Sequence, residues 1–141
     1  MSTMTSDPPR LPANTTAVRR PRRRWRHKFR EAFRGVKFGV RGHSSFFVHF
    51  FFAALVFAAA VVFQCELWEW SVLIACIGAV LTAELFNSAF ETLFRGLDAE
   101  TKDRLVGVLD IAAGAVLMAS VTAAVIGTVV LGNRFAMFLN R

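Results

Sequence analysis

Glu84, Asn87 and Glu91 sit inside the apolar run Ala83 to Phe94, AELFNSAFETLF. Spacings of three and seven residues put all three on one face of a helix. An ionised side chain at membrane depth costs several kcal/mol unless it is neutralised, hydrated or paired, so carboxylates kept there mark proton transfer, cation binding or buried pairing. Two carboxylates and an amide on one stripe read as a site. The competing account is a polar seam between packed helices.

The elements that must hold this stripe are apolar throughout. The chain has 141 residues, of which 55% are hydrophobic, and a mean hydropathy of +0.45. A soluble domain of this size sits nearer about 45–50% apolar. Three runs are long enough to cross a bilayer, which takes about 20 apolar residues. They lie at about 46–64, 68–94 and 105–131, and residues 46–63 of the first are interrupted only by His49. A cleaved secretory leader fits the first run less well, because such leaders total about 15–30 residues and this run starts after position 45.

Charge is segregated. Residues 1–42 carry twelve of the 17 Lys and Arg but only Asp7 and Glu31 as acids. The positive-inside rule then keeps the N-terminus in the cytoplasm, sends the Gln64–Leu67 connection outside and returns Arg95–Arg104, with Arg95, Lys102 and Arg104, to the cytoplasm. The expected location is the inner (cytoplasmic) membrane. Arg134 and Arg141, on the far side, violate the rule. On this topology Glu91 and Asp110 meet near the cytoplasmic surface, where a water-soluble substrate can reach them. Glu84 lies deeper, about 16 Å from Arg95 along the helix, at a level a lipid headgroup reaches from the side.

The N-terminal region divides in two. Residues 1–24 are polar, Pro- and Arg-rich and expected to be a disordered basic tail. Residues 25–42 form an amphipathic helix, with Phe29, Ala32, Phe33, Val36 and Val40 on one stripe and Arg30, Arg34, Lys37 and Arg41 opposite. That pattern suits a helix lying on an anionic membrane surface. The run RRPRRRWRHK also has the composition of a nucleic-acid patch, but with three spans downstream no nucleic-acid partner is expected. Residues 136–141 are expected to form a short tail. Cys65 and Cys76 fall at different depths, which disfavours a disulfide. The sequence has no zinc-type Cys/His spacing, Walker loop, GxGxxG or serine elbow.

Three motifs carry a family resemblance: Ala32-Phe33-Arg34-Gly35, the run Glu84-Leu85-Phe86-Asn87-Ser88-Ala89-Phe90-Glu91, and Asp110-Ile111-Ala112-Ala113-Gly114-Ala115-Val116. From about Phe29 to Leu131 the chain resembles the prokaryotic diacylglycerol kinase and undecaprenol kinase family. The resemblance implies an all-α membrane protein, an amphipathic surface helix followed by three spans, assembled as a homotrimer. It implies transfer of the γ-phosphate of ATP, with Mg²⁺, to a membrane lipid alcohol. Glu84 matches the carboxylate that takes the acceptor's proton, a role favoured by loss of water around it. Asn87 matches an amide that orients Glu84 or the acceptor hydroxyl. Glu91 matches the metal-holding carboxylate and Asp110 an acidic residue of the nucleotide site. Glu100 falls in the loop that meets the nucleotide.

The departures are equally specific. Leu109 stands where the family usually has a lysine before Asp110, and His43 and Ser45 stand where it usually has E-x-N. His43 offers nitrogen where Mg²⁺ prefers oxygen. Arg95 replaces a usual acid, and Arg95, Lys102 or Arg104 can supply the missing positive charge. Losing one charge-stabilising contact removes roughly 3–4 kcal/mol of transition-state stabilisation. The sequence therefore leaves two readings: a working lipid kinase, or a catalytically degenerate member kept for a structural or interaction role. His49, near the start of the first span, is read as an interhelical hydrogen-bonding group.

Overall fold

The computed structural model describes residues 25–42 and 44–140; the basic tail and His43 lie outside them. Within that range the chain is four helices: α1 (Trp25–Gly42), α2 (Ser45–Val62), α3 (Leu67–Arg95) and α4 (Ala99–Leu139). The last three are each long and apolar enough to cross a membrane. Helix is the solution that sequence and medium both favour, because it satisfies every backbone N–H and C=O within the segment.

Helix α3 is the hub. It packs along α4 over much of its length and meets both α2 and α1. Near the α2–α3 turn, Ala60, Leu73 and Val130 are buried together, with Val56, Trp70 and Ile126 around them. The ring of Phe57 lies 5.4 Å from that of Trp70. Few other span residues are buried within the chain, so most apolar side chains face outward.

The turns are tighter than the sequence reading allowed. Helix α2 closes on a left-handed Gln64, with φ of 53°. Cys65 N–H donates to Ala60 O at 3.0 Å and Gln64 N–H to Val61 O at 3.2 Å, a Schellman closure built without its usual glycine. The α3–α4 connection is Gly96, Leu97 and Asp98 alone, where a ten-residue loop was expected. Asp98 caps α4: its carboxylate accepts from Thr101 N–H at 3.0 Å and Thr101 Oγ1 at 2.8 Å. The charged residues that follow are helical: Arg104 pairs with Glu100, and Lys102 Nζ reaches back to the Arg95 carbonyl. The two bonds from Thr101 hold the Asp98 carboxyl below its ordinary range.

Helix α4 also continues where a tail was expected, through Leu139. Its 41 residues span about 61 Å, twice the roughly 30 Å of hydrocarbon in a bilayer. Two contacts hold its last turns. Phe63 packs on Phe135 and Phe138, centroids 5.4 and 6.0 Å away. Arg134, 8% exposed, donates through Nε to Glu69 Oε1 and Oε2 at 2.8 and 2.6 Å and pairs through Nη2 with Glu66 Oε1 at 2.6 Å. Glu69 in turn accepts from the Glu66 N–H at 2.7 Å, at the start of α3. Sequence reasoning took Arg134 only as a misplaced charge. Its partners lie 65 and 68 residues away, and no local pattern joins them.

Helix α1 meets α3 closely at Gly39. A Cβ at Gly39 would lie 2.5 Å from Leu85 Cδ1, so the close approach is a glycine contact. The expected apolar stripe stays largely open: Val40 is half-buried, while Ala32, Val36 and the aromatic Phe29 and Phe33 are exposed. Their rings are left for lipid.

Two outcomes follow. Arg134→Leu strands Glu69 in a dry setting, and unfolding in mixed micelles should show a midpoint more than about 5 °C lower; Glu66→Gln should cost less, because Glu66 is largely exposed. The Asp98 cap has a depressed pKa, so its stabilisation is complete above the ordinary carboxylate value of about 4 and fades as pH falls through the folded value. Exchange of the Thr101 amide, corrected for its intrinsic rate, should accelerate in acid in the native chain and not in Asp98→Asn.

Candidate functional site

The acidic stripe of α3 is shared between two neighbours. Helix α2 begins level with Glu84, so Glu84 faces α2. One to two turns further along α3, Asn87 and Glu91 face the first turns of α4 instead.

Glu84 is 3% exposed. Ser45 Oγ donates to Glu84 Oε1, and His49 Nε2 stands 3.7 Å from Glu84 Oε2. One carboxylate oxygen is thus fixed by a hydroxyl and the other faces an imidazole, one helical turn apart on α2. His49 also lines an apolar groove of about 350 Å³ between α2, α3 and α4, with Phe52, Val56, Ile77, Leu81 and Ser120. A membrane-borne chain lying in that groove would bring its polar end to His49 and Glu84. Sequence reasoning weighed His49 as an interhelical contact and named Ser45 only as a departure. The i,i+4 spacing of Ser45 and His49 was the available signal.

The Asn87 amide is turned toward Glu91. Its Nδ2 donates to Glu91 Oε1 at 3.2 Å, and Arg95 Nη2 donates to Glu91 Oε2 at 3.3 Å. These residues, with Phe94, Leu109, Asp110 and Ala113, line an open cleft of about 360 Å³ between α3 and α4. Glu91 on α3 and Asp110 on α4, expected at one level on adjacent helices, line this same cleft. Leu109 forms part of the cleft wall, so the position next to Asp110 contributes an apolar surface.

Glu100 stands apart. Its Oε1 accepts from Arg104 Nη2 at 2.6 Å, both side chains being about three-quarters exposed, and it does not line the cleft. The hydroxyl of Ser88, a turn beyond Glu84, is buried with no hydrogen-bond partner, beneath the α1–α3 contact.

Among the described residues no three His, Cys, Asp or Glu side chains converge on one point. The oxygen donors of the cleft are the carboxylates of Glu91 and Asp110 and the amide of Asn87. Such a set suits a hard cation that takes its other ligands from phosphate and water, as Mg²⁺ does in nucleotide sites, and does not suit a protein-caged transition metal. About 10 Å along the axis of α3 separates Glu84 from Glu91.

No curated protein and no solved structure matches the chain. The family model described as prokaryotic diacylglycerol kinase matches residues 30–131. That range takes in most of α1, all of α2 and α3 with the acidic stripe, and the first four-fifths of α4; the Arg134 clasp with Phe135 and Phe138 lies beyond it. The match covers well over half of the chain, its three spans suit a membrane kinase, and the protein is therefore a member of the prokaryotic diacylglycerol kinase family, a family of membrane lipid kinases.

Proposed function

We propose that this protein transfers the γ-phosphate of ATP to the hydroxyl of a membrane lipid, diacylglycerol or undecaprenol. The observation that carries the reading is the division of one helix between two environments. Glu84 is dry, bonded to Ser45 and next to an apolar groove. Glu91 lies along the same helix in an open cleft that also holds Asn87, Arg95 and Asp110. A reaction that joins a lipid alcohol to a soluble phosphate donor needs one site of each kind.

In this mechanism Glu84 accepts the acceptor hydroxyl's proton through the carboxylate oxygen that faces His49, while Ser45 keeps the other oxygen in place. Asn87 fixes the rotamer of Glu91. Glu91 and Asp110 would hold the nucleotide's Mg²⁺, which supplies charge neutralisation on the phosphates. The triphosphate and the acceptor hydroxyl together fill the distance along α3 between Glu91 and Glu84. Phosphoryl transfer asks mainly for positioning and charge stabilisation, so a sparse set of side chains is enough.

The α3–α4 end of the bundle is proposed to face the cytoplasm of the cell, in the inner membrane, with the N-terminus on the same side. Arg95, Lys102 and Arg104 cluster at that end, and the pairing of Arg134 with Glu66 and Glu69 neutralises the charge that opposed this orientation. A homotrimer is proposed on the family resemblance, supported by the large apolar area that the single chain leaves outward. The second reading, a member that keeps the fold without the activity, is favoured by Leu109 in the cleft wall.

Labelled γ-phosphate offered as MgATP to membranes containing the protein, with each lipid in turn, tests this reading. Label should enter one of the two lipids and fall at least about 100-fold in Glu84→Gln. Ser45→Ala should lower kcat by about tenfold, the worth of one hydrogen bond to a charged group, and leave the KM for ATP unchanged. Correctly inserted protein that gives no Glu84-dependent label with either lipid would favour the second reading.

A further inference from the structure

We propose that Arg95 binds the nucleotide's phosphates, and that its ion pair with Glu91 is a resting contact which nucleotide and cation exchange between them. The inference rests on the kinase reading above and assigns the positive charge of that site. The two cations at the start of α4 are engaged elsewhere. Arg104 is held by Glu100. Lys102 Nζ donates to the Arg95 carbonyl at 3.5 Å, at the C-terminal end of α3. Neither lines the cleft; among the described residues that line it, the one Lys or Arg is Arg95.

Electrostatics favours a guanidinium beside the cleft carboxylates. With Arg95 set aside, the cleft presents two carboxylates, Glu91 and Asp110, and repels a triphosphate. Arg95 brings a planar fork of donors that matches phosphate oxygens in pairs. It is the last residue of α3, and its side chain is 68% exposed while that of Glu91 is 35% exposed. An exposed i,i+4 pair of this kind is weak, so its partners exchange readily.

The pair also occupies the positions that both ligands need. Arg95 stands on Glu91 where a divalent cation would bind, and Glu91 holds Arg95 where a phosphate would. On binding, the phosphate takes Arg95 and the cation takes Glu91. Removing Arg95 should therefore weaken nucleotide binding and strengthen binding of the bare cation, two shifts of opposite sign. A side chain that only stabilises the turn would move both in one direction.

The test uses the full chain in lipid nanodiscs without acceptor lipid. Displacement of a fluorescent ATP analogue by MgATP reads nucleotide affinity, and the spin signal of free Mn²⁺ reads cation affinity without nucleotide. Arg95→Gln should weaken MgATP about tenfold, Arg95→Lys should recover most of that loss, and Mn²⁺ should bind Arg95→Gln about threefold tighter than the native chain. Native protein whose nucleotide binding is lost in Arg95→Gln, with Mn²⁺ affinity also lower, would overturn the exchange and leave Arg95 a structural residue. Nucleotide binding within about twofold of native in Arg95→Gln would overturn the assignment alone. Native protein that binds no nucleotide would overturn the kinase reading, and this assignment with it.

Discussion

A charge between apolar helices must meet a partner, because neither lipid nor packed side chains replace its lost water. That constraint organises this protein at three levels along α3. At the α2–α3 end, Glu69 is buried against Arg134, with Glu66 completing the arrangement. In mid-helix, Glu84 has Ser45 and His49. At the α3–α4 end, Glu91 has Asn87 and Arg95. Each partner lies on another helix or within one turn of the same one, so the pairings also fix how the helices sit.

The three levels differ in what their surroundings allow. The Arg134 pairing is dry, closed and multiply bonded, which suits a clasp holding the long α4 to the hairpin. The Glu91 pairing is open and weak, which suits exchange with solutes. Glu84 lies between: buried, with one oxygen committed to Ser45 and the other beside an imidazole that borders an apolar groove. The same chemical group thus takes a structural role at one end of a helix and a proposed chemical role further along it. Depth and access decide which.

The departures from the family pattern gain a physical setting in the cleft. Leu109 removes a side-chain charge from the α4 wall, and Arg95 adds one on the α3 wall opposite. Ser45 turns out to be the donor to Glu84, so a residue noted for what it replaced is tied to the central carboxylate. Asn87 belongs with Glu91 and not with Glu84, and Glu100 belongs to a surface pair.

Composition, apolar run length and charge placement in the sequence were enough to determine an all-helical chain with an amphipathic first helix and three spans, because a bilayer permits few other ways of satisfying the backbone. The acidic stripe was legible for the same reason: helical periodicity is local, and costly groups at regular spacing stand out against hydrocarbon. The lengths of the helices beyond their apolar cores were not legible, since capping by Asp98 and packing of Phe135 and Phe138 extend α4 where hydropathy fades. Nor were the partners. Arg134 with Glu69, Ser45 with Glu84, and the separation of Glu84 from the Asn87–Glu91 cleft depend on where α2 begins beside α3 and where α4 ends beside both. Those are distances between helices, set by side-chain packing in three dimensions, and no spacing along the chain encodes them.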